Sequence, residues 1–198
     1  MLFSSKAFLI STIALAAPSL AALNWDQTLM TVKLAQMGTA DITNKPKIDG
    51  ITVITTNSQT IQNNMQNSIN DQAFVISKGQ SGGPIQANMP LDASAITSAF
   101  NSWAPYHTNL INSLKAKAYV YELNSQLSLY IPGFRQLLIM DLATTIGVSD
   151  QLRAMMPGSG YATARANILA TANVLCKAQK QAITAYGGTP TGGANTCA

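Results

Sequence analysis

Residues 92–121 read DASAITSAFNSWAPYHTNLINSLKAKAYVY, and this stretch decides the class of fold. Its apolar side chains and one histidine recur every three or four residues, at Ile96, Phe100, Trp103, His107, Leu110, Leu114, Ala118 and Tyr121. That period puts them on one face of an α-helix. Asp92 precedes the stripe and is a typical N-cap residue. Pro105 removes one backbone hydrogen bond and predicts a kink or break near residues 100–101.

The same period predicts helices upstream of this stretch. A second stripe, at Ile48, Ile51, Ile54, Ser58, Ile61, Met65 and Ile69, indicates one long helix. Before it, Asp26 can cap a first helix, which Gly38 and Pro46 limit. Residues 78–90 contain three glycines and two prolines, which predicts a loop.

Downstream, Pro132-Gly133 opens a fourth helix that Gly147 separates from a shorter helical turn. A final helix covers about residues 162–186 and stops at Gly187-Gly188. We therefore predict an all-α fold, a single-domain bundle of about five amphipathic helices, one of them kinked at a proline, over residues 22–186.

The composition is apolar but poor in charge. Of the 198 residues, 47% are hydrophobic and 10% are charged, against about 25% charged residues in typical soluble domains. Asn, Gln, Ser and Thr together number 63 and supply the polar surface. The formal net charge is +4, without a run of basic residues. This pattern argues against a disordered chain and against nucleic-acid binding.

Residues 1–21 have the pattern of a secretory signal peptide. A short start with Lys6 precedes the apolar run AFLISTIALAA at residues 7–17, and Ser19-Leu20-Ala21 follows as a small-x-small cleavage site. An uncleaved membrane anchor would need about 20 apolar residues. We expect cleavage after Ala21 and a secreted, extracellular protein, with the cell wall as one location.

Two cysteines remain after cleavage. In a secreted chain, an even number of cysteines is most simply read as a disulfide, here Cys176 to Cys197. The bond would hold the Gly/Thr-rich tail, residues 187–198, against the last helix. A redox or metal site would need a CxxC spacing or more histidines, so we expect no metal and no cofactor.

One segment invites assignment as an enzyme. GQSGGP at residues 79–84 differs by one residue from the GDSGGP around the nucleophile of trypsin-like proteases. That chemistry needs a histidine before the serine and a β-barrel, whereas the sole histidine, His107, follows Ser81 in a helical sequence. No spacing of the acidic residues singles out a carboxylate pair. We therefore expect no catalytic site and a non-catalytic protein.

A family resemblance rests on Phe100, Pro105, His107, Leu110-Ile111, Leu114 and Lys117-Ala118. They match the segment FxxxxPxHxxLLxxLxxKA, in which Ile111 takes the place of the second Leu. The segment resembles that of the fungal hydrophobic surface-binding protein A family, which includes cell-wall galactomannoproteins. Asp92, Ala93 and Ile96 agree upstream. The resemblance implies a secreted helical bundle that adsorbs to hydrophobic surfaces or holds a fatty acid or similar lipid between its helices.

Stripe positions give candidate ligand-binding residues. The side chains that we predict to line an apolar groove are Ile61, Met65, Phe100, Trp103, His107, Leu110, Leu114 and Leu138. His107 could then anchor a lipid carboxylate, or it could be a core histidine with one satisfied nitrogen. Two other classes of function stay open: a surface-active coat or cell-wall component without a discrete ligand, and a secreted effector that binds a protein partner.

Overall fold

A computed structural model describes residues 23–52, 57–86 and 89–190. This part of the chain forms five helices: α1 (Trp25–Asp49), α2 (Ser58–Gly82), α3 (Pro90–Leu123), α4 (Ile131–Ala154) and α5 (Ala162–Ala185). Short 3-10 helices precede α4 and α5, at Ser128–Tyr130 and Ser159–Tyr161. The described ranges contain no strand. The prediction of an all-α bundle of about five helices is confirmed.

The helices form a closed ring around one core. Going round the ring, the order is α1, α3, α5, α4 and α2, and each helix packs mainly against its two neighbours. The connection from α2 to α3 therefore crosses one end of the ring. Ile85 in this connection is buried, and its N–H donates to the carbonyl of Met155 at 2.7 Å. The crossing segment thus closes that end of the core.

Two predicted helix boundaries in the first third of the chain were wrong. The N-cap of α1 is Asn24, which forms a capping box with Gln27, so Asp26 is not the cap. The helix continues past Gly38 and includes Pro46. Neither residue ends it, because the buried face of α1 continues to Ile48 and tertiary packing outweighs the local cost.

The stripe from Ile48 to Ile69 extends over two helices and the segment between them, so the prediction of one long helix was wrong. α1 ends at Asp49 and α2 begins at Ser58. Residues 51–56 are all Ile, Thr or Val, and β-branched residues have a low helix propensity. Ile48, Ile51, Ile61 and Ile69 are nevertheless all buried; Ile54 lies outside the described residues.

Helices α2, α3 and α4 continue past the positions where a loop or a break was predicted. α2 continues to Gly82, so the predicted loop at residues 78–90 is shortened at its start. α3 runs without a break through Pro105, and α4 runs through Gly147. A Cβ atom on Gly147 would come within 2.8 Å of Ile76 Cδ1, so this glycine serves close packing of α2 on α4 instead of ending a helix.

The last helix ends close to the predicted position. Tyr186 is the C-cap of α5, and Gly187 follows with φ of 71°. Cys176 is buried on α5. Its predicted partner Cys197 lies outside the described residues, as do residues 1–22, so the disulfide and the signal peptide stay predictions.

None of the helices within the described ranges combines the length and apolarity needed to cross a membrane.

Candidate functional site

Each of the five helices contributes a buried polar side chain to one level of the core. These side chains meet in what we call the central polar layer: Asp41 from α1, Gln72 from α2, His107 from α3, Asp141 from α4 and Gln179 from α5. All five are buried. Because buried polar groups are costly unless they are hydrogen-bonded, the partners of each one decide what the layer does.

His107 lies between two carboxyl groups. Its Nδ1 is 3.0 Å from Asp41 Oδ2, and its Nε2 is 3.0 Å from Asp141 Oδ2 and 3.1 Å from Asp141 Oδ1. The His107 residue is only 1% exposed. A doubly protonated imidazolium can donate to both carboxylates at once, which a neutral ring cannot. The geometry is therefore that of a buried imidazolium with two counter-ions.

The two amides of the layer complete the coordination of Asp141. Gln72 Nε2 donates to Asp141 Oδ1 at 2.6 Å, and Gln179 Nε2 donates to Asp141 Oδ2 at 2.7 Å. The Gln72 carbonyl in turn accepts from the hydroxyls of Thr144 and Thr145. Asp141 thereby joins α2, α3 and α5 to α4 through one carboxylate.

Asp41 receives a second donor from α3. Trp103 Nε1 donates to Asp41 Oδ2 at 3.1 Å, the oxygen that also accepts from His107. The Trp103 ring packs on the His107 ring with 5.1 Å between centroids, and Phe100 meets Trp103 edge-on at 5.7 Å. Successive turns of α3 thus hold the imidazole in place with an indole on one side.

Burial and charge oppose each other at His107. Burial alone lowers the pKa of His107, but the charges of Asp141 and Asp41 and their hydrogen bonds outweigh burial and hold it well above 6.5. Burial likewise raises the pKa of Asp141, and the charge and hydrogen bond of His107 with the Gln179 and Gln72 amides bring it below 3.8. At neutral pH the ion pair between His107 and Asp141 is therefore charged.

A small cavity lies beside the central polar layer, between α1, α2 and α3. One end contains Asp41, His107 and Asp141. The remaining walls combine three polar side chains, Asn44, Asn64 and Ser68, with five apolar ones, namely Ile48, Ile61, Met65, Leu110 and Ile111. Its volume is about 10 Å³, roughly the room for one water molecule. In this conformation the cavity is too small for an acyl chain.

The eight predicted groove residues are all buried. The structure brings four of them together around the cavity: Ile61, Met65, His107 and Leu110. Phe100 and Trp103 pack in the same region of α3. Leu114 and Leu138 lie in the core and do not line the cavity. Both nitrogens of His107 contact protein carboxylates, so a lipid carboxylate could reach this imidazole only by displacing one of them.

Sequence reasoning missed four of the five residues of the layer. Each carries a recognisable signal, a polar residue at a position where the helical stripe calls for an apolar one. Gln72 follows Ile69 by three residues, Gln179 lies between Leu175 and Ala182, and Asp141 interrupts the apolar stretch 137–146. Polar residues at core positions of a helical bundle are therefore the pattern that points to such a layer.

The chain has no match among known protein-family models, curated proteins or solved structures.

Proposed function

We propose that this is a secreted, non-catalytic protein of the extracellular space or cell wall that binds lipids or hydrophobic surfaces with the interior of its helical bundle. This is the property implied by the resemblance of residues 100–118 to the hydrophobic surface-binding protein A family. The observation that carries the proposal is the cavity beside His107, where five apolar side chains meet a charged end and a few amide and hydroxyl groups.

The contacts between α1 and α2 indicate where the ring opens. The first half of α1 is joined to the second half of α2 by two ion pairs, Lys33 to Asp71 at 3.2 Å and Lys78 to Asp26 at 2.9 Å. Beside the cavity, one side-chain hydrogen bond joins α2 to α1 among the described residues. It runs from Asn64 Nδ2 to Asn44 Oδ1 at 2.9 Å. We infer that a ligand enters here.

Pro46 makes the C-terminal end of α1 easier to move than its first half. It has no N–H, so the last turn of α1 lacks one of its helical hydrogen bonds. Helices bend preferentially at such positions. Displacement of the end of α1 would expose Ile61, Met65 and Leu110, while Asp41 and the rest of the central polar layer remain in place one turn further back.

Burial of a ligand offsets part of the cost of such an opening. Burial of a few hundred Å² of acyl chain at about 25 cal/mol per Å² stabilises the open form by several kcal/mol before the costs of association. The polar end of the cavity carries two carboxylates and one imidazolium, so an anionic head group meets net repulsion there. A neutral amphiphile such as decanol is therefore the best first probe.

Met65→Ala is expected to bind decanol about tenfold more tightly than the unsubstituted chain, because removal of the thioether side chain creates room at the cavity wall and spares part of the opening cost. The measurement is a fluorescence titration in a Trp25→Phe background. Trp25 is exposed, so this background leaves Trp103, beside the cavity, as the only tryptophan.

Leu152→Ala is the matched control. Leu152 is buried on α4 away from the cavity, and both truncations cost about 2–5 kcal/mol of stability. If the Leu152 variant gains as much affinity as the Met65 variant, binding follows general loosening of the bundle and the cavity is not the site.

An exposed apolar end supports the rival function, a surface-active wall or coat component without a discrete ligand. Tyr119 and Leu123 lie one turn apart near the end of α3, and Leu129 follows in the 3-10 helix; they are 60%, 73% and 80% exposed. Such side chains can adsorb to an apolar surface without any opening of the ring. A protein partner could use the same patch.

A further inference from the structure

One oxygen of the central polar layer has no hydrogen-bond donor. Trp103 Nε1 and His107 Nδ1 both donate to Asp41 Oδ2, and within the described residues no donor reaches Asp41 Oδ1. Asp41 is only 3% exposed, yet it lines the cavity, and its Oδ1 keeps some accessible surface. Because a buried carboxylate oxygen without a donor is costly, this atom is placed to accept a hydrogen bond from a ligand in the cavity.

The charge of the layer selects a cation. One imidazolium, that of His107, lies between two carboxylates, those of Asp41 and Asp141, and the two glutamines of the layer are neutral. Among the described residues, every lysine or arginine ion pair goes to a different carboxylate. The layer therefore carries one negative charge in excess. A buried excess charge is unfavourable, and a cation in the adjoining cavity would compensate it.

The cavity suits an ammonium group as that cation. Its volume of about 10 Å³ accommodates a group about the size of a water molecule, which a planar guanidinium exceeds. Asn64 lines the same cavity, and no donor reaches its Oδ1 within the part of the chain described. An ammonium group has only N–H donors. It can therefore donate to Asp41 Oδ1 and to Asn64 Oδ1 at once.

The apolar walls of the cavity add a second requirement, an alkyl chain. Ile61, Met65 and Leu110 lie beside these two oxygens and offer no hydrogen bond to a free ammonium ion. We propose that the bundle prefers an amphiphile with a protonated primary amine, whose ammonium contacts Asp41 and whose chain points toward the end of α1. This inference rests on the proposed function and names the class of its ligand.

One lysine lies near this position on the outer side. Lys47 Nζ donates to Asn44 Oδ1 at 3.1 Å, and Asn44 lines the cavity. Lys47 is exposed, so water and salt screen its charge. The carboxylate of Asp41 is buried and screened much less, and it therefore dominates the choice of head group.

The test compares decylammonium, decanol and decanoate, which share one alkyl chain, by Trp103 fluorescence in the Trp25→Phe background. At about pH 6 the amine is protonated and the alkanoate is ionised, as Lys and Glu side chains are. We expect decylammonium to bind at least about tenfold more tightly than decanol, and decanoate to bind more weakly than decanol. The formal net charge of the chain is +4, so its long-range field opposes this order.

Asp41→Asn tests the assigned oxygen. The amide keeps an acceptor for Trp103 and His107 but removes the charge, so the ratio of decylammonium to decanol affinity should fall about tenfold. The ratio cancels any change in the cost of opening the bundle, because both ligands need the same opening.

Asn64→Asp covers the case in which Asp41→Asn fails to fold. Asn64 is half-buried, and a carboxylate there should raise the same affinity ratio severalfold. Asn70→Asp is the matched control. It makes the same change at an exposed asparagine of α2 that does not line the cavity, and it should leave the ratio unchanged.

Two results would overturn this inference and leave the proposed function standing. The first is decylammonium that binds no more tightly than decanol. The second is an equal effect of Asn70→Asp and Asn64→Asp, which would assign the preference to the general charge of the protein. If none of the three amphiphiles binds, the proposed function and this inference are both wrong.

Discussion

Replacement of His107 by alanine is expected to lower the free energy of unfolding by about 3–5 kcal/mol, because it breaks a buried ion pair by removing one partner. The His107 imidazolium partly balances the negative charges of Asp41 and Asp141, both of which are buried. Without it, two carboxyl groups from α1 and α4 remain in the core, where Trp103, Gln72 and Gln179 still donate hydrogen bonds to them. Urea unfolding followed by circular dichroism measures the loss.

Two further variants show whether the loss comes from uncompensated charge. Thr108 follows His107 on α3, and its hydroxyl donates one hydrogen bond to the Ala104 carbonyl. Thr108→Ala removes this bond and should lower the free energy of unfolding much less than His107→Ala does. Addition of Asp141→Asn to His107→Ala should recover part of the stability, since the second change removes one of the stranded charges. A loss below about 1 kcal/mol in the single variant would mean that the layer does not hold the ring together.

The free energy of unfolding of the protein should be greatest in mildly acidic solution and should decline at alkaline pH. The folded-state pKa of His107 is raised above 6.5, so its contribution is complete below pH 6.5 and is lost as the pH rises through the folded value. Asp141 behaves in the opposite sense. Its pKa is lowered, so its contribution is present above pH 3.8 and is lost as the pH falls through its folded value. Both contributions are complete between pH 3.8 and 6.5.

Each unit by which the folded pKa of His107 exceeds 6.5 corresponds to about 1.4 kcal/mol of this decline. The measurement compares urea midpoints at pH 5 and pH 9. His107→Gln, which keeps a hydrogen-bonding side chain that does not titrate, should lose most of the difference. An unsubstituted protein equally stable at both pH values would show that His107 is not the imidazolium of a buried ion pair.

The central polar layer also contains a sizeable share of the few acidic residues in this chain. Eight acidic residues occur in the whole sequence, and three of them are buried: Asp41 and Asp141 in the central polar layer, and Asp92 in the first turn of α3. The surface is kept polar mainly by amides and hydroxyls, which are less costly to desolvate than ions. A bundle of this kind can approach an apolar phase with little loss of ion hydration, which agrees with the proposed function.

Helical periodicity was enough to predict the class of fold and most of the core. The stripe on α3 is buried at every predicted position, from Ile96 to Tyr121. A 3.6-residue apolar period over a long segment is the pattern of an amphipathic helix with one face in the core. Helix ends were less predictable. Pro46 and Gly147 lie inside helices, since packing against neighbouring helices outweighs a local penalty of a few kcal/mol.

The site was only partly predictable for a different reason. The stripe placed His107 in the interior, and Ile61, Met65 and Leu110 do line the cavity with it. The partners of His107 come from helices 66 and 34 residues away along the chain. Which buried polar residues meet is set by the order of helices round the ring, and periodicity within one helix carries no information on that order.

Native mass spectrometry of the protein purified from the organism that makes it tests the central claim most directly, that the interior of this bundle takes up an amphiphile. We predict a complex with one lipid per chain, and loss of that lipid when Leu110 is replaced by aspartate, which puts a charge on the cavity wall. Circular dichroism establishes that the variant is folded. The contrary result is a lipid-free protein that gains no mass on incubation with decanol yet still depletes from solution onto polystyrene, which would assign binding to the exposed apolar end and not to the cavity.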